Sequence, residues 1–119
     1  MEVQTKTLAE TKQFIEVALK GRLDLLNIEA AKAQLRESIN LAPAAVLVNL
    51  SEVHFIDSAG LSALVSGLRI ARENGKDIIL AGLNRQAQMV FRLTMLDRVF
   101  TIYPSVEIAL ENFSKQNQA

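Results

Sequence analysis

Residues 46–64 read VLVNLSEVHFIDSAGLSAL, an apolar run that passes through a polar turn into the start of a helix. Val46, Leu47 and Val48 show no polar alternation, which predicts a strand from Ala45 to Leu50 covered on both faces. From Ser58 to about Asn74 the apolar residues Leu61, Leu64, Val65, Leu68 and Ala71 recur at helical spacing, and Gly75 stands where a left-handed helix terminus favours glycine. A central strand followed directly by a long amphipathic helix is the unit around which the rest of the chain is read.

Towards the amino terminus, Ile28, Ala31, Leu35 and Ile39 form one helical stripe, with Glu29, Lys32, Arg36 and Glu37 opposite. Before it, Phe14 to Lys20 alternates, with Ile15, Val17 and Leu19 on one face, and Val3 to Thr7 alternates more weakly. These predict two strands joined by a polar turn around Glu10 to Lys12. Towards the carboxyl terminus, Asp77 to Ala81 predicts a buried strand closed by Gly82, and Arg85 to Thr94 a helix with Ala87, Val90 and Phe91 towards the sheet. Val99 to Tyr103 is a short β-prone run, and Pro104 and Ser105 open a last helix carrying Val106, Ile108, Ala109 and Phe113. The expected architecture is α/β: a mostly parallel mixed sheet of about five strands with about four helices, joined by right-handed crossovers. Residues 1–119 are expected as one domain, with the first strand and turn in 1–12 and a frayed tail in 114–119.

Composition limits the chemistry. The 119 residues include 13 Lys and Arg against 13 Asp and Glu, so zero formal net charge gives no broad field for nucleic acid or acidic membranes. The absence of cysteine and the single histidine, His54, argue against disulfides and against thiolate or multi-histidine metal sites. The polar start MEVQTKTLAETKQ lacks a signal-peptide pattern, and no apolar run reaches the roughly 18 residues of a spanning helix, so a cytoplasmic protein without membrane attachment is expected. The glycines at 21, 60, 67, 75 and 82 do not make a nucleotide-binding loop, so no cofactor is expected.

In open α/β sheets the working site lies beyond the carboxyl ends of the strands, which directs attention to His54-Phe55-Ile56-Asp57-Ser58-Ala59-Gly60-Leu61. Two readings of this turn are open. Asp57 or Ser58 caps the following helix and Gly60 permits close packing; or Ser58, at a solvent-facing helix start, accepts a phosphoryl group that the positive helix end tolerates. A phosphate would add roughly 1.5 to 2 negative charges, enough to reject a partner matched to the unmodified surface. An esterase-type elbow fits poorly, because Ile56 occupies its first glycine position and His54 is the sole candidate base. His54 itself reads as a partly exposed strand residue. Met89, Phe91, Met95, Leu96 and Phe100 are expected mainly as core around the third helix, the alternative being that some form an exposed patch for a partner or a second copy.

The stretch from Val46 to Leu64 resembles the signature region of STAS domains, and within them the stand-alone bacterial anti-sigma factor antagonists, which carry a strand, Asp-Ser-Ser/Thr/Ala-Gly-Leu and a helix. Gly21-Arg22-Leu23-Asp24 is similar to the Gly-Glu-Leu/Ile-Asp turn of that family. Asn74-Gly75-Lys76 and Phe91-Arg92-Leu93-Thr94-Met95-Leu96 fall where it has a turn and a short third helix. The resemblance implies a phosphorylation-controlled partner switch without catalytic residues of its own. The dephosphorylated protein would bind an anti-sigma factor that is also a serine kinase of the GHKL type and so release a sigma factor. A metal-dependent phosphatase of the PP2C type would reverse the modification. By the same resemblance Ser58 is the phosphoacceptor, Asp57 positions it or contacts the kinase, Gly60 lets backbone approach backbone at the partner interface, and Asp24 is a second partner-binding acid or, on the other reading, a helix or turn cap; Ser62, one turn beyond Ser58 on the same face, is a further candidate partner-binding residue or simply a solvated helix residue. Ala59 replaces a second hydroxyl common in the family, and Arg22 stands where glutamate is frequent. A monomer or weak homodimer is expected. The alternative within the fold is a structural subunit of a stress-signalling scaffold or lipid-transport complex.

Overall fold

The computed structural model describes residues 2–7 and 14–116, with side-chain surroundings for residues 15–112. In chain order the elements are β1 (Glu2–Thr7), β2 (Phe14–Leu23), α1 (Ile28–Leu41), β3 (Ala45–Ile56) and α2 (Ser58–Glu73). There follow β4 (Asp77–Ala81), α3 (Arg85–Leu93), a short 3-10 helix (Leu96–Arg98), β5 (Thr101–Tyr103) and α4 (Val106–Gln116). The expected polar turn at Glu10 to Lys12 lies outside the described residues, as do 117–119.

The five strands form one sheet in the order β1-β2-β3-β4-β5, with β1 antiparallel to β2 and all later neighbours parallel. This is the expected α/β architecture, a single domain with four helices. Because each parallel strand lies next to its predecessor, right-handed crossovers put α1, α2 and α3 on the same side of the sheet. Their inward side chains meet Val17, Leu19, Val46, Val48, Ile78 and Leu80 in the main core. Phe91 of α3 and Phe100 anchor its far end as an edge-to-face pair with centroids 5.6 Å apart. The other sheet face is covered by α4, where Ala109 packs on Ala45, Leu47, Ile79 and Ala81. Val46, Leu47 and Val48 are therefore all buried, which explains their lack of alternation.

Helix α2 ends as Gly75 predicts. Its φ of 71° lets the N–H groups of Lys76 and Gly75 return to the carbonyls of Ala71 and Arg72, a pair of bonds that satisfies the last turn.

Three boundaries differ from expectation. Strand β2 runs to Leu23 rather than Lys20, with two register irregularities against β3. Strand β5 spans Thr101–Tyr103 only, since Leu96–Arg98 forms the 3-10 helix. Strand β3 continues to Ile56 instead of ending at Leu50, pairing with β2 as far as Leu23↔Ile56. On its other flank β4 stops opposite Asn49, and side chains take over the pairing. Asn84 Nδ2 donates to the carbonyls of Val53 and His54 at 3.3 and 2.9 Å. Gln86 accepts from the Ile56 N–H at 3.0 Å and donates to its carbonyl at 2.8 Å, as a neighbouring strand would. These bonds carry β3 past the rim of the sheet and deliver Asp57 and Ser58 beyond it.

Candidate functional site

The site is built where the β2–α1 loop meets the β3–α2 turn. Asp57 is the N-cap of α2 in extended conformation, and its Oδ1 accepts from the Gly60 N–H at 2.8 Å. Its Oδ2 accepts from the Leu25 N–H at 3.1 Å, and its own N–H reaches the Leu23 carbonyl at 3.3 Å. Both oxygens of the carboxylate are thus committed to backbone donors in two loops more than thirty residues apart. The capping reading holds for Asp57, and no bond joins it to the Ser58 hydroxyl among the described residues.

Gly60 is buried against the end of β2. A Cβ there would overlap the Leu23 carbonyl oxygen and stand 2.8 Å from the Leu23 carbonyl carbon and Cγ. The close backbone approach expected at this glycine is therefore to the molecule's own strand. It brings the first turn of α2 onto the sheet rim and leaves Ser58, the first helical residue, on the outside. Ser58 is exposed, and its hydroxyl makes no hydrogen bond among the described residues. Ser62, one turn along α2, is exposed as well.

Asp24, expected as a second acidic contact or as a turn cap, is buried in its own loop. Its Oδ2 takes the Arg22 Nε–H at 3.1 Å and its Oδ1 takes Asn27 Nδ2 at 2.9 Å. Asn27 Nδ2 also donates to the Arg22 carbonyl, and the Asn27 N–H to that of Asp24. Burial pushes the Asp24 carboxyl up, but hydrogen bonds from Arg22 and Asn27, the Arg22 charge and the Leu26 N–H together hold it below its ordinary 3.8. The Arg22 guanidinium lies 4.4 Å from the centre of the Phe55 ring, linking β2 to β3 beside the site.

This bracing turns apolar side chains outward. Leu25 is 69% and Leu26 92% exposed, and the Leu25 N–H is the one held by Asp57. The structure therefore brings Asp24, Asp57, Ser58 and Gly60 to one rim of the sheet, with Ser62 a turn away, but in two classes. Asp24, Asp57 and Gly60 shape the rim, while Ser58 and Ser62 face solvent. Sequence reasoning missed Leu25 and Leu26 as surface, and Asn27, Asn84 and Gln86 as supports. A signal for the leucines existed, since both lie outside the α1 stripe that starts at Ile28. Among the described residues no group of three or more His, Asp or Glu is arranged to hold a metal ion, and no helix is long and apolar enough to cross a membrane.

Comparison with known proteins gives a consistent picture. The anti-sigma-B factor antagonist of Staphylococcus aureus is 25% identical over 108 residues, covering 91% of this chain and 99% of its own. A putative anti-sigma factor antagonist of Thermotoga maritima superposes with a TM-score of 0.80 at 25% identity, covering 94% of each chain. The Bacillus protein SpoIIAA, an anti-sigma factor antagonist in its unphosphorylated form, has a TM-score of 0.77 at 19% identity, covering 96% of this chain and 97% of its own, and so shares the fold. The STAS domain profile matches residues 5–109, which spans the sheet, the rim and the first turn of α4. On that match the chain belongs to the STAS domain family.

Proposed function

We propose that this chain is an anti-sigma factor antagonist whose partner binding is switched by phosphorylation of Ser58. The observation that carries the reading is the contrast inside one turn: both oxygens of the Asp57 carboxylate accept from backbone donors, while the adjacent Ser58 hydroxyl is exposed and makes no hydrogen bond among the described residues. A kinase can approach that oxygen without breaking any bond that holds the fold. The phosphoryl group would sit at the amino end of a 16-residue helix, whose dipole and first-turn N–H groups favour negative charge.

In the dephosphorylated form the exposed Leu25 and Leu26, on the loop that Asp57 ties to the start of α2, offer an apolar contact to the anti-sigma factor. Phosphorylation places roughly 1.5 to 2 negative charges next to that contact and next to the Asp57 carboxylate, so the docked partner is desolvated against charge and released. The antagonist names of the relatives support the role, and SpoIIAA, solved in unphosphorylated and phosphorylated forms, supports the kind of switch. The kinase and its nucleotide site belong to the partner, of the GHKL type, and a PP2C-type phosphatase resets the cycle; this chain is their substrate and acts as a regulator.

The test is affinity capture of the anti-sigma factor from the protein's own cells, followed by calorimetric titration against wild type, Ser58→Ala and Ser58→Glu. Ser58→Ala is expected to bind as tightly as unmodified wild type, and Ser58→Glu at least about tenfold more weakly, about 1.4 kcal/mol. Equal affinities for all three would remove the switch and leave a static scaffold subunit.

A further inference from the structure

Strand β3 outruns one of its neighbours. Strand β4 pairs with it as far as Asn49↔Ala81, yet β3 continues to Ile56. At that end the Gln86 amide of α3 pairs as a strand residue would, accepting from the Ile56 N–H at 3.0 Å and donating to the Ile56 carbonyl at 2.8 Å. We propose that Gln86 is a positioning residue for phosphorylation of Ser58, acting through the peptide group that joins Ile56 to Asp57. The proposal rests on Ser58 as the phosphoacceptor and adds what aims it.

The geometry of that one peptide group carries the inference. Its C=O and N–H lie in a single plane that turns as a unit. Gln86 Nε2 holds the carbonyl end at 2.8 Å, and the Leu23 carbonyl holds the N–H end at 3.3 Å. The plane is thus braced from α3 on one flank and from β2 on the other. The next peptide group, Asp57 to Ser58, already belongs to α2, since the Asp57 carbonyl accepts from the Leu61 N–H at 2.9 Å. The tilt of the Ile56–Asp57 plane therefore sets the direction in which Ser58 leaves the rim. Among the described residues, the hydrogen bonds that tie residues 57–60 to elements outside α2 come from the β2–α1 side, at Leu23 and Leu25. Without Gln86 the turn is tied on one flank and hinges there.

The fold does not need Gln86 to seat α3. Ala87 and Phe91 anchor that helix in the core. Asn84 caps it, accepting from the Ala87 N–H at 2.8 Å, and bonds β3 at Val53 and His54. Ile56 keeps its buried side chain and its pairing with Leu23. Gln86 is half-buried, so truncation admits water to the Ile56 peptide groups. Its loss loosens the turn more than the domain, and an acceptor that samples more directions is less often in line with the kinase's phosphate donor. The apolar contact at Leu25 and Leu26 lies on the flank that stays tied, so the deficit falls on kcat rather than KM.

The experiment is steady-state phosphorylation of the full chain by the anti-sigma factor kinase captured from the protein's own cells, with ATP, for wild type, Gln86→Ala and Gly75→Ala. Gly75→Ala is the stability control, because it strains the far end of α2 without touching the turn. Gln86→Ala is expected to lower kcat at least about tenfold with KM within about twofold, whereas Gly75→Ala changes neither by more than about twofold. Backbone nitrogen relaxation by NMR is expected to show greater motion of the Ser58 and Ala59 amides in Gln86→Ala, with Gly75 and Lys76 unchanged. Should Gln86→Ala fail to fold, Gln86→Glu decides: when ionised it keeps an acceptor for the Ile56 N–H and loses the donor to the carbonyl, so the same loss in kcat is expected. Wild-type kcat in the folded Gln86 variant, or a loss that falls on KM, would overturn the proposal and leave the Ser58 switch standing. No phosphate on wild-type Ser58 would overturn the switch and this inference with it, so the two failures are told apart.

Discussion

The two ends of α2 are fastened in different ways. At its carboxyl end the chain closes locally: Gly75 takes φ 71°, and two backbone bonds within six residues satisfy the last turn. At its amino end the fastening is long-range. Asp57 ties α2 to the β2–α1 loop, Gly60 lets the helix rest on Leu23, and Gln86 from α3 holds Ile56. A local ending only has to stop a helix. The long-range one holds two loops in fixed relation and leaves the exposed Ser58 hydroxyl beside them without a hydrogen bond among the described residues.

If that contrast is correct, the largest effect belongs to Gly60→Ala. Its methyl group would overlap the Leu23 carbonyl, and either α2 or β2 must move, at a cost of about 3 kcal/mol or more in urea denaturation. Near-native stability would mean that the helix start floats on the sheet. Asp57→Ala removes a cap and leaves the Leu25 N–H without its acceptor, for about 2 kcal/mol. A sharper form measures hydrogen exchange at the Leu25 amide, which should speed up in this variant while the amides of Gly75 and Lys76 stay protected.

Gly75→Ala tests the local end. A Cβ at that φ meets no neighbouring atom, so the cost is the backbone strain alone, about 1 kcal/mol. It should leave partner binding at the Ser58 rim unchanged, which binding to the partner captured from cells would check.

The rim should also soften in acid. The native Asp24 carboxyl titrates below its ordinary 3.8, so its contribution is fully present above that value and is lost as pH falls through the lowered native value. Wild type should lose stability over this range more steeply than Asp24→Asn, measured by thermal denaturation between about pH 5 and pH 2. Parallel slopes would show that the Arg22–Asp24–Asn27 cluster adds nothing to the fold.

Much of the architecture was legible because periodicity is local. Val46, Leu47 and Val48 gave the central strand, Asp77 to Ala81 the next one, and Gly75 the end of α2. The extension of β3 to Ile56 was not legible. Ser51, Glu52 and His54 are exposed and break the apolar run that ends at Leu50, and the groups that complete the pairing of this extension come from β2 and from Asn84 and Gln86, about thirty residues away. Apolar type misled at the surface. Phe91 and Phe100 entered the core as expected, and Leu96 packs against its edge, but Met89 and Met95 face solvent, as do Leu25 and Leu26. For the site, the sequence located the turn and its serine; it could not show that the acids beside Ser58 brace the rim, because that depends on backbone donors brought in by the other loop.

The smallest expected effect on stability is that of Ser58→Ala, within about 0.5 kcal/mol, because the hydroxyl is exposed and makes no hydrogen bond among the described residues. Its importance would lie in modification alone, so the most direct measurement is intact-mass and peptide mass spectrometry on protein isolated from its own cells under conditions that preserve phosphoserine. A single phosphate mapped to Ser58, varying between growth and stress, is the predicted result. Repeated absence of phosphate there, with the protein held in a large stable complex under every condition, would contradict it.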